Sequence, residues 1–191
     1  DIEIIENNDS EIKKAEQLFL EGKWKEAFKI FEKLAENGNG RAMYFMGQYY
    51  QFSYGCVIID EKKANEWRKK GYEKGEELST LRYGFNLSDE KEKNRIISQV
   101  FPKVLKLSEN GDINAQFELG RCYNWGTGVE KNGKEAFRWY TKSAEKGHSG
   151  AQNNVGLCYQ YGTGVGRDEV EAFRWYMKSA EQGFDIAKKN V

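Results

Sequence analysis

The sequence has little of what several specialised classes of protein depend on. Its 191 residues include one proline, one histidine and three cysteines, and 30 Lys and Arg balance 30 Asp and Glu. A net charge of zero provides no basic excess to neutralise the phosphates of nucleic acid or of an anionic membrane. No apolar run is long enough to cross a bilayer, so we expect no membrane insertion. A hydrolase with an imidazole base would depend entirely on His148.

The cysteine count and the first residue both bear on the cellular compartment. Three cysteines are an odd and sparse set, which argues against a secreted domain held together by disulfides. Reduced cysteines in the cytoplasm therefore fit the sequence better than secretion. Because the first residue is Asp1 and not Met, a removed signal peptide would leave the same sequence, and secretion stays open.

An internal repeat is the dominant feature of the sequence. Residues 115–150 and 151–186 align without a gap and are identical at twenty of thirty-six positions. A series of glycines extends the same register along the chain at spacings of 37, 36, 36 and 36, namely Gly38, Gly75, Gly111, Gly147 and Gly183. A fixed period of this length is typical of a repeat protein.

Each repeat is predicted to form two helices. Small and apolar residues recur at helical spacing in 115–125 and again in 133–146, and Gly126-Thr127-Gly128-Val129 separates the two segments. Gly147 fits the left-handed position after a helix. Gly120 and its counterparts lie inside first helices, where glycine costs about 1 kcal/mol relative to alanine. We therefore expect a neighbouring helix to approach closely at these glycines.

The repeat resembles a known family. The resemblance rests on one copy above all, which has the residues Ala151, Val155-Gly156, Tyr159, Gly162-Thr163-Gly164-Val165, Asp168, Glu171-Ala172, Trp175-Tyr176 and Lys178-Ser179-Ala180-Glu181-Gln182-Gly183. This pattern resembles the Sel-one-like repeat (SLR) family, relatives of the tetratricopeptide repeats. The resemblance implies an all-α, right-handed superhelical solenoid of about five antiparallel helix-turn-helix repeats, with first helices on its concave side.

The register predicts the organisation of the chain. We expect an N-terminal tail over 1–9 and a single repeat domain over 10–191. Its repeats are placed at about 10–38, 41–75, 78–111, 114–147 and 150–183, with a partial capping helix at 184–191. The third of these departs most from the pattern, because Glu90–Ile97 replaces the glycine loop. The capping helix is expected to pack on Val155 and Tyr159, since a terminal repeat needs a cover for its core face.

Two apparent chemical motifs are better explained by the repeat. The segment from Gly128 to Glu135 nearly matches a phosphate-binding loop, but Glu135 stands where a hydroxyl is required and no strand precedes it. Cys122 and Cys158 occupy one repeat position, which favours buried thiols in the core over a disulfide or a metal pair. We therefore predict no cofactor and no metal.

Other conspicuous side chains are interpreted as structural. His148 lies between two repeats and is predicted to be a solvated turn residue. The tryptophans Trp67, Trp139 and Trp175 share a repeat position beside the alanine and tyrosine of the second helix. They are predicted to belong to the core between repeats, although a row of recognition residues is the alternative.

The resemblance implies a non-catalytic scaffold that binds a polypeptide partner through the concave groove. Amides would bond the backbone of the ligand and aromatic rings would bury its side chains. Groove positions of tetratricopeptide repeats transfer in this register to Arg41, Tyr44, Gln48, Phe117, Arg121, Asn124, Trp125, Asn153, Gln160 and Tyr161. The alternative for the rings is that they cover a neighbouring helix.

Two other functions stay open at this point. SLR proteins also serve as bacterial effectors or as immunity proteins that neutralise a toxin, and such a protein would bind one folded partner through an edge or the convex face. An enzyme is the third hypothesis, but no carboxylate pair in the sequence is predicted to lie in a cleft that would shift its pKa.

Overall fold

The protein is helical throughout the residues that the structure describes. The structure is a computed structural model that describes residues 2–190, with the side chains of 8–184 and 186–190. Eleven helices and no strand occur in that range: α1 Ile2–Leu20, α2 Trp24–Glu36, α3 Gly40–Phe52, α4 Glu61–Glu73, α5 Glu77–Phe85, α6 Glu90–Glu109, α7 Ile113–Trp125, α8 Gly133–Glu145, α9 Ser149–Tyr161, α10 Glu169–Glu181 and α11 Asp185–Lys188. The predicted all-α class is confirmed.

Four first helices, α3, α5, α7 and α9, begin at a residue whose side chain caps them. Asn39, Glu76, Asp112 and His148 each accept a hydrogen bond from the backbone N–H three residues later, at the start of α3, α5, α7 and α9. Such a cap satisfies one of the N–H groups that the first helical turn leaves without a partner. One polar side chain therefore determines where each of these four helices starts.

Glycines end two of the first helices. Gly126 after α7 and Gly162 after α9 have φ angles of 71° and 73°, in the left-handed region that glycine adopts without steric cost. The next helices, α8 and α10, start at the side-chain caps Asn132 and Asp168. The glycine loops of the repeat pattern thus reverse the chain between paired helices.

The glycines inside first helices allow a tyrosine to approach, as predicted. A Cβ on Gly120 would lie 2.5 Å from Cδ1 of Tyr140, and one on Gly156 would lie 2.6 Å from Cδ1 of Tyr176. Real Cβ atoms do not tolerate such distances, so each tyrosine ring of the second helix packs directly on the backbone of the first. The cost of a helical glycine is offset by this close packing.

The chain divides into two compact units, Asp1–Ile96 and Ile97–Val191. The core of the first unit is rich in aromatic residues, including Phe19, Phe31, Phe45 and Tyr49. The core of the second unit combines small and aromatic side chains: Phe117, Ala136, Tyr140, Ala144, Ala151, Val155 and Cys158. A single repeat domain over 10–191, which the register predicts, stays a prediction.

The ends of the repeat region differ in detail from the sequence prediction. Helix α1 begins at Ile2, within the segment that was predicted to be a tail. At the other end α11 has only four residues and packs against α10. Ala187 is fully buried, and Asn190 Nδ2 donates to Asn153 Oδ1 at 3.0 Å. Packing of 184–191 on Val155 and Tyr159 stays a prediction.

Candidate protein-binding site

Four of the ten predicted partner-binding residues are buried. The solvent-exposed fraction is 1% for Tyr44, 5% for Gln48, 4% for Phe117 and 4% for Asn153. The ring of Tyr44 meets Phe45 edge to face with centroids 5.3 Å apart. These four side chains belong to the packing of the helices and do not form an exposed surface, so for the rings of Tyr44 and Phe117 the structure supports the alternative that they cover a neighbouring helix.

Arg41 is held by carboxylates of its own chain. Its Nε donates to Glu16 Oε1 at 2.6 Å, and its Nη1 lies 3.7 Å from Glu76 Oε1. Burial raises the pKa of the Glu76 carboxyl above its usual range, while the nearby Arg41 guanidinium acts in the opposite direction. Arg41 therefore acts within the protein as a bridge between α1 and the start of α5.

Arg121 is balanced by a buried carboxylate. Its side chain is 19% exposed, and its Nη1 lies 3.8 Å from Oε2 of the fully buried Glu118. Its guanidinium carbon lies 5.9 Å from the centre of the Phe117 ring. The exposed edge of the guanidinium can still donate to a ligand.

Trp125 and Tyr161 are the exposed residues of the predicted set. They are 71% and 70% exposed, and each is the last residue of a first helix, α7 or α9. The left-handed glycines Gly126 and Gly162 follow directly. Both helices belong to the second unit, so two successive repeats present an aromatic ring to solvent at the same position.

An amide side chain precedes each exposed ring. Asn124 and Gln160 are both half-buried. Gln160 Oε1 accepts from the hydroxyl of Tyr176 at 2.6 Å, which orients the carboxamide. Amide and ring therefore form a pair that recurs one repeat later, in the order the sequence predicted.

Basic side chains lie next to the glycines that follow the two rings. A Cβ on Gly126 would lie 3.3 Å from Cβ of Lys131, and one on Gly162 would lie 3.0 Å from Cγ of Arg167. Between the two loops is an open cleft of about 680 Å³ lined by Lys131, Asn132, Gly133, Lys134, Gly162, Gly164, Val165 and Gly166. Its lining includes two lysines and no carboxylate, so the cleft beside Tyr161 is basic.

His148 is a buried cap, and the prediction of a solvated turn residue is wrong. It is 3% exposed, its Nδ1 accepts from Ala151 N at 3.2 Å, and its ring stacks on Phe117 with centroids 4.4 Å apart. Burial lowers the pKa of His148 to about 4, so the ring is neutral near pH 7. Its place in the series of first-helix caps was the signal that could have revealed this role.

Cys122, Cys158 and Trp139 are buried where the repeat predicts, whereas Trp67 and Trp175 are only half-buried. Cys122 and Cys158 are buried on α7 and α9, and burial raises the pKa of the Cys158 thiol to about 12. Trp139 is buried and Trp175 packs partly buried against the core of the second unit. These residues therefore serve packing.

Among the side chains of 8–184 and 186–190, no three His, Cys, Asp or Glu residues are grouped so that they could hold a metal ion. None of the helices described is both long and apolar enough to span a membrane.

The matches of a known family model coincide with the repeats of this chain. The Sel1 repeat model matches residues 25–39, 40–76, 113–148 and 149–184. A Sel1 repeat protein of known structure from Oxalobacter formigenes is 30% identical, over 92% of this chain and 71% of that chain, with a TM-score of 0.48. No curated protein matches.

Two further solved structures are similar at lower identity. A putative Sel1 repeat protein from Klebsiella pneumoniae subsp. pneumoniae is 19% identical over 96% of this chain and 90% of that chain, with a TM-score of 0.52. An immunity protein from Pseudomonas aeruginosa is 20% identical over 91% of this chain and 66% of that chain, with a TM-score of 0.48. Since the Sel1 matches cover more than half of the sequence, and three of the four coincide with the hairpins α3–α4, α7–α8 and α9–α10, the chain belongs to the Sel1 repeat family, the SLR proteins.

Proposed function

We propose that the protein is a non-catalytic interaction protein that binds a polypeptide partner through the ends of α7 and α9. Sel1 repeat proteins are typically protein-interaction scaffolds. The observation that carries the proposal is the exposure of Trp125 and Tyr161, 71% and 70%, at one position of two successive repeats. Trp and Tyr are the residues most enriched among the energetic centres of protein interfaces.

The amides beside the rings suit a polypeptide ligand. Asn124 and Gln160 each offer a carboxamide one residue before a ring, and a peptide backbone carries a donor and an acceptor at every residue. A repeated pair of amide and ring therefore fits a ligand whose own hydrogen-bonding groups repeat. In the register of tetratricopeptide repeats these helix ends belong to the concave face, which is where we place the partner.

The charge near the rings favours an acidic segment of the partner. Lys131 and Lys134 line the cleft beside Tyr161, and the lining contains no carboxylate. Arg121 adds a planar donor that can form two parallel hydrogen bonds with a carboxylate. We therefore expect the bound segment to combine apolar side chains with Asp, Glu or a free C-terminus.

Capture of the partner by single variants tests the proposal. Trp125→Ala and Tyr161→Ala should each weaken binding by about 1–4 kcal/mol, because each removes an aromatic contact. Both variants should keep the melting temperature of the wild type, since neither ring is buried. The measurement is a pull-down from a lysate of the source organism with mass spectrometry, followed by titration of the captured protein.

Phe173→Ala is the matched control, because Phe173 is an exposed aromatic residue, 49% exposed, on a second helix. It should bind the partner as the wild type does. Normal capture by both Trp125→Ala and Tyr161→Ala would contradict the proposal. That outcome would favour the alternative from the sequence, an effector or immunity protein that binds one folded partner through another face.

A further inference from the structure

The two exposed rings at the ends of first helices repeat at a fixed interval within the second unit. Trp125 ends α7 and Tyr161 ends α9, and they are 71% and 70% exposed. Trp125 is followed by the complete next repeat and is as exposed as Tyr161, so its exposure does not depend on where the sequence ends. The separation of the two helix ends therefore limits the shapes of ligand that reach both rings.

The ends of α7 and α9 are neighbours in the fold. A Cβ on Gly133, which follows the loop after α7, would lie 3.2 Å from the backbone nitrogen of Gly164, in the loop after α9. Phe117 of α7 also stacks on His148, the cap of α9, with centroids 4.4 Å apart. Neighbouring helices have a centre-to-centre distance close to their own diameter, so the two ring positions are about 10 Å apart.

A polyproline II segment has a period that matches this separation. It has about 3 residues per turn and rises about 3.1 Å per residue, so side chains i and i+3 lie on one face about 9 Å apart. A β-strand places side chains on one face about 7 Å and then about 13 Å apart, on either side of the required distance. An α-helix reaches about 10 Å between residues i and i+7. The spacing therefore disfavours a strand and leaves polyproline II and a helix to be separated by their hydrogen bonding.

The amides beside the rings favour polyproline II over a helix. The carboxamide oxygen of Gln160 already accepts from the hydroxyl of Tyr176 at 2.6 Å, so its N–H₂ group is the part that would donate to a ligand. A ligand in an α-helix uses its carbonyls in its own hydrogen bonds, whereas polyproline II has no internal hydrogen bonds and leaves its carbonyls free to accept.

The other polar groups near the rings are donors. Arg121, Lys131 and Lys134 have no acceptor atom in their side chains, and the indole of Trp125 has only an N–H. Proline has a backbone carbonyl and no N–H, so a ligand rich in proline offers acceptors to these groups and brings few donors that would stay unsatisfied. Grooves lined by aromatic rings are also the surfaces on which proline-rich segments dock.

We propose that the segment held by Trp125 and Tyr161 is proline-rich and acidic, and that it binds in the polyproline II conformation with prolines three residues apart on the two rings. The inference rests on the proposed function, because it assigns the ligand of the same site. The acidic residues of the segment face Lys131 and Lys134 in the cleft beside Tyr161. A segment that already has its bound conformation loses less conformational entropy on binding.

Synthetic peptides and the full chain test the ligand class. A fluorescently labelled peptide of four Glu-Pro-Pro units should bind the wild type with a dissociation constant below about 1 mM in an anisotropy titration. Trp125→Ala and Tyr161→Ala should each weaken binding by about tenfold or more, whereas Phe173→Ala should leave it unchanged. No binding to the wild type up to about 1 mM, or full binding by either ring variant, overturns the proposal.

Two control peptides separate conformation from charge. A peptide of four Glu-Ala-Ala units keeps the charge without the prolines, and a peptide of four Lys-Pro-Pro units keeps the conformation with the opposite charge. Both should bind the wild type about tenfold more weakly than the Glu-Pro-Pro peptide. Equal binding of the alanine peptide contradicts the assigned conformation, and equal binding of the lysine peptide contradicts the assigned charge.

Charge reversal in the cleft tests the orientation of the segment. Lys131 and Lys134 are both exposed, so the double variant Lys131→Glu with Lys134→Glu should keep the fold. It should weaken binding of the Glu-Pro-Pro peptide and strengthen binding of the Lys-Pro-Pro peptide. An unchanged preference would show that the acidic residues do not face this cleft.

The natural partner distinguishes failure of this inference from failure of the proposed function. Capture that depends on both rings, together with no binding of the Glu-Pro-Pro peptide, would overturn the ligand class and leave the partner site in place. Capture and peptide binding that are both independent of the rings would overturn both.

Discussion

The loop after α3 and the loops after α7 and α9 make the same reversal of the chain with different residues. Gly126 and Gly162 take left-handed angles in the second unit, whereas the equivalent residue in the first unit is Ser53 with a φ of 66°. Tyr54, the next residue, also has a positive φ of 45°. Non-glycine residues are rarely found there because their Cβ is crowded by the backbone.

The burial of Tyr54 explains why the first unit tolerates this backbone. Its ring is 4% exposed and lies edge to face against Trp24, Phe19 and Tyr49, with centroids 4.7, 5.0 and 5.3 Å away. In the second unit the same position holds Thr127 and Thr163, and the exposed rings Trp125 and Tyr161 lie two residues earlier, at the end of each helix. The first unit buries its loop ring in the core, whereas the second unit leaves its two rings exposed to solvent.

Removing the ring of Tyr54 should have the largest effect on stability, because this ring is buried in the core of the first unit. Tyr54→Ala should destabilise the protein by about 3–5 kcal/mol, because it empties a position between packed rings. Thr127→Ala, the matched change in the second unit, should cost less than about 1 kcal/mol. Chemical denaturation with a separate probe for each unit measures both. Equal effects would mean that the two loops contribute alike.

Acid should weaken the second unit through a cap that the first unit lacks. The pKa of His148 is lowered to about 4 in the folded protein, so the unfolded chain takes up the proton first as pH falls from about 6.5. Stability is therefore full above pH 6.5 and declines by about 3 kcal/mol by pH 4. The test is the pH dependence of the unfolding free energy.

His148→Asn is the control for the acid effect, because Asn39 fills the same cap in the first unit without a titratable group. The variant should have a shallower decline between pH 6.5 and pH 4, whatever its stability at neutral pH. An identical slope in the wild type and the variant would show that His148 does not carry the acid sensitivity.

Replacing the mid-helix glycines should have a smaller effect on stability, and the effect should differ between the two units. Gly120→Ala places a Cβ 2.5 Å from the ring of Tyr140, so overpacking of about 1–3 kcal/mol should outweigh the gain of about 1 kcal/mol in helix propensity. At Gly47 in the first unit the nearest atom is Cγ of Arg68, at the longer distance of 3.2 Å. Gly47→Ala should therefore cost less.

Thermal unfolding of both glycine variants measures this difference. Gly166→Ala serves as a control, because nothing lies within 4 Å of the added Cβ. A larger loss of stability at Gly47 than at Gly120 would contradict the interpretation of the tyrosine contact.

The helices and their register follow from the sequence because their signals are local. A polar cap such as Asp112, an apolar period of three and four residues, and a glycine such as Gly126 each act within a few residues of the chain. The mid-helix Gly120 also predicted a close approach, since its cost requires an offsetting contact. These features are enough for the all-α repeat class and for the boundaries of most helices.

Exposure was decided by tertiary packing. Phe52, Trp125 and Tyr161 share one repeat position, yet Phe52 is half-buried and packs on Tyr54 with centroids 6.0 Å apart, while the other two rings lie in solvent. Phe117 was predicted to bind a partner and instead stacks on the buried His148. A repeat alignment assigns equivalent positions, but the side chains around each position differ between repeats, and many come from distant segments, such as Trp24 and Phe19 against Tyr54 and His148 against Phe117. Whether a ring is core or surface therefore depends on those neighbours, and only the folded structure brings them together.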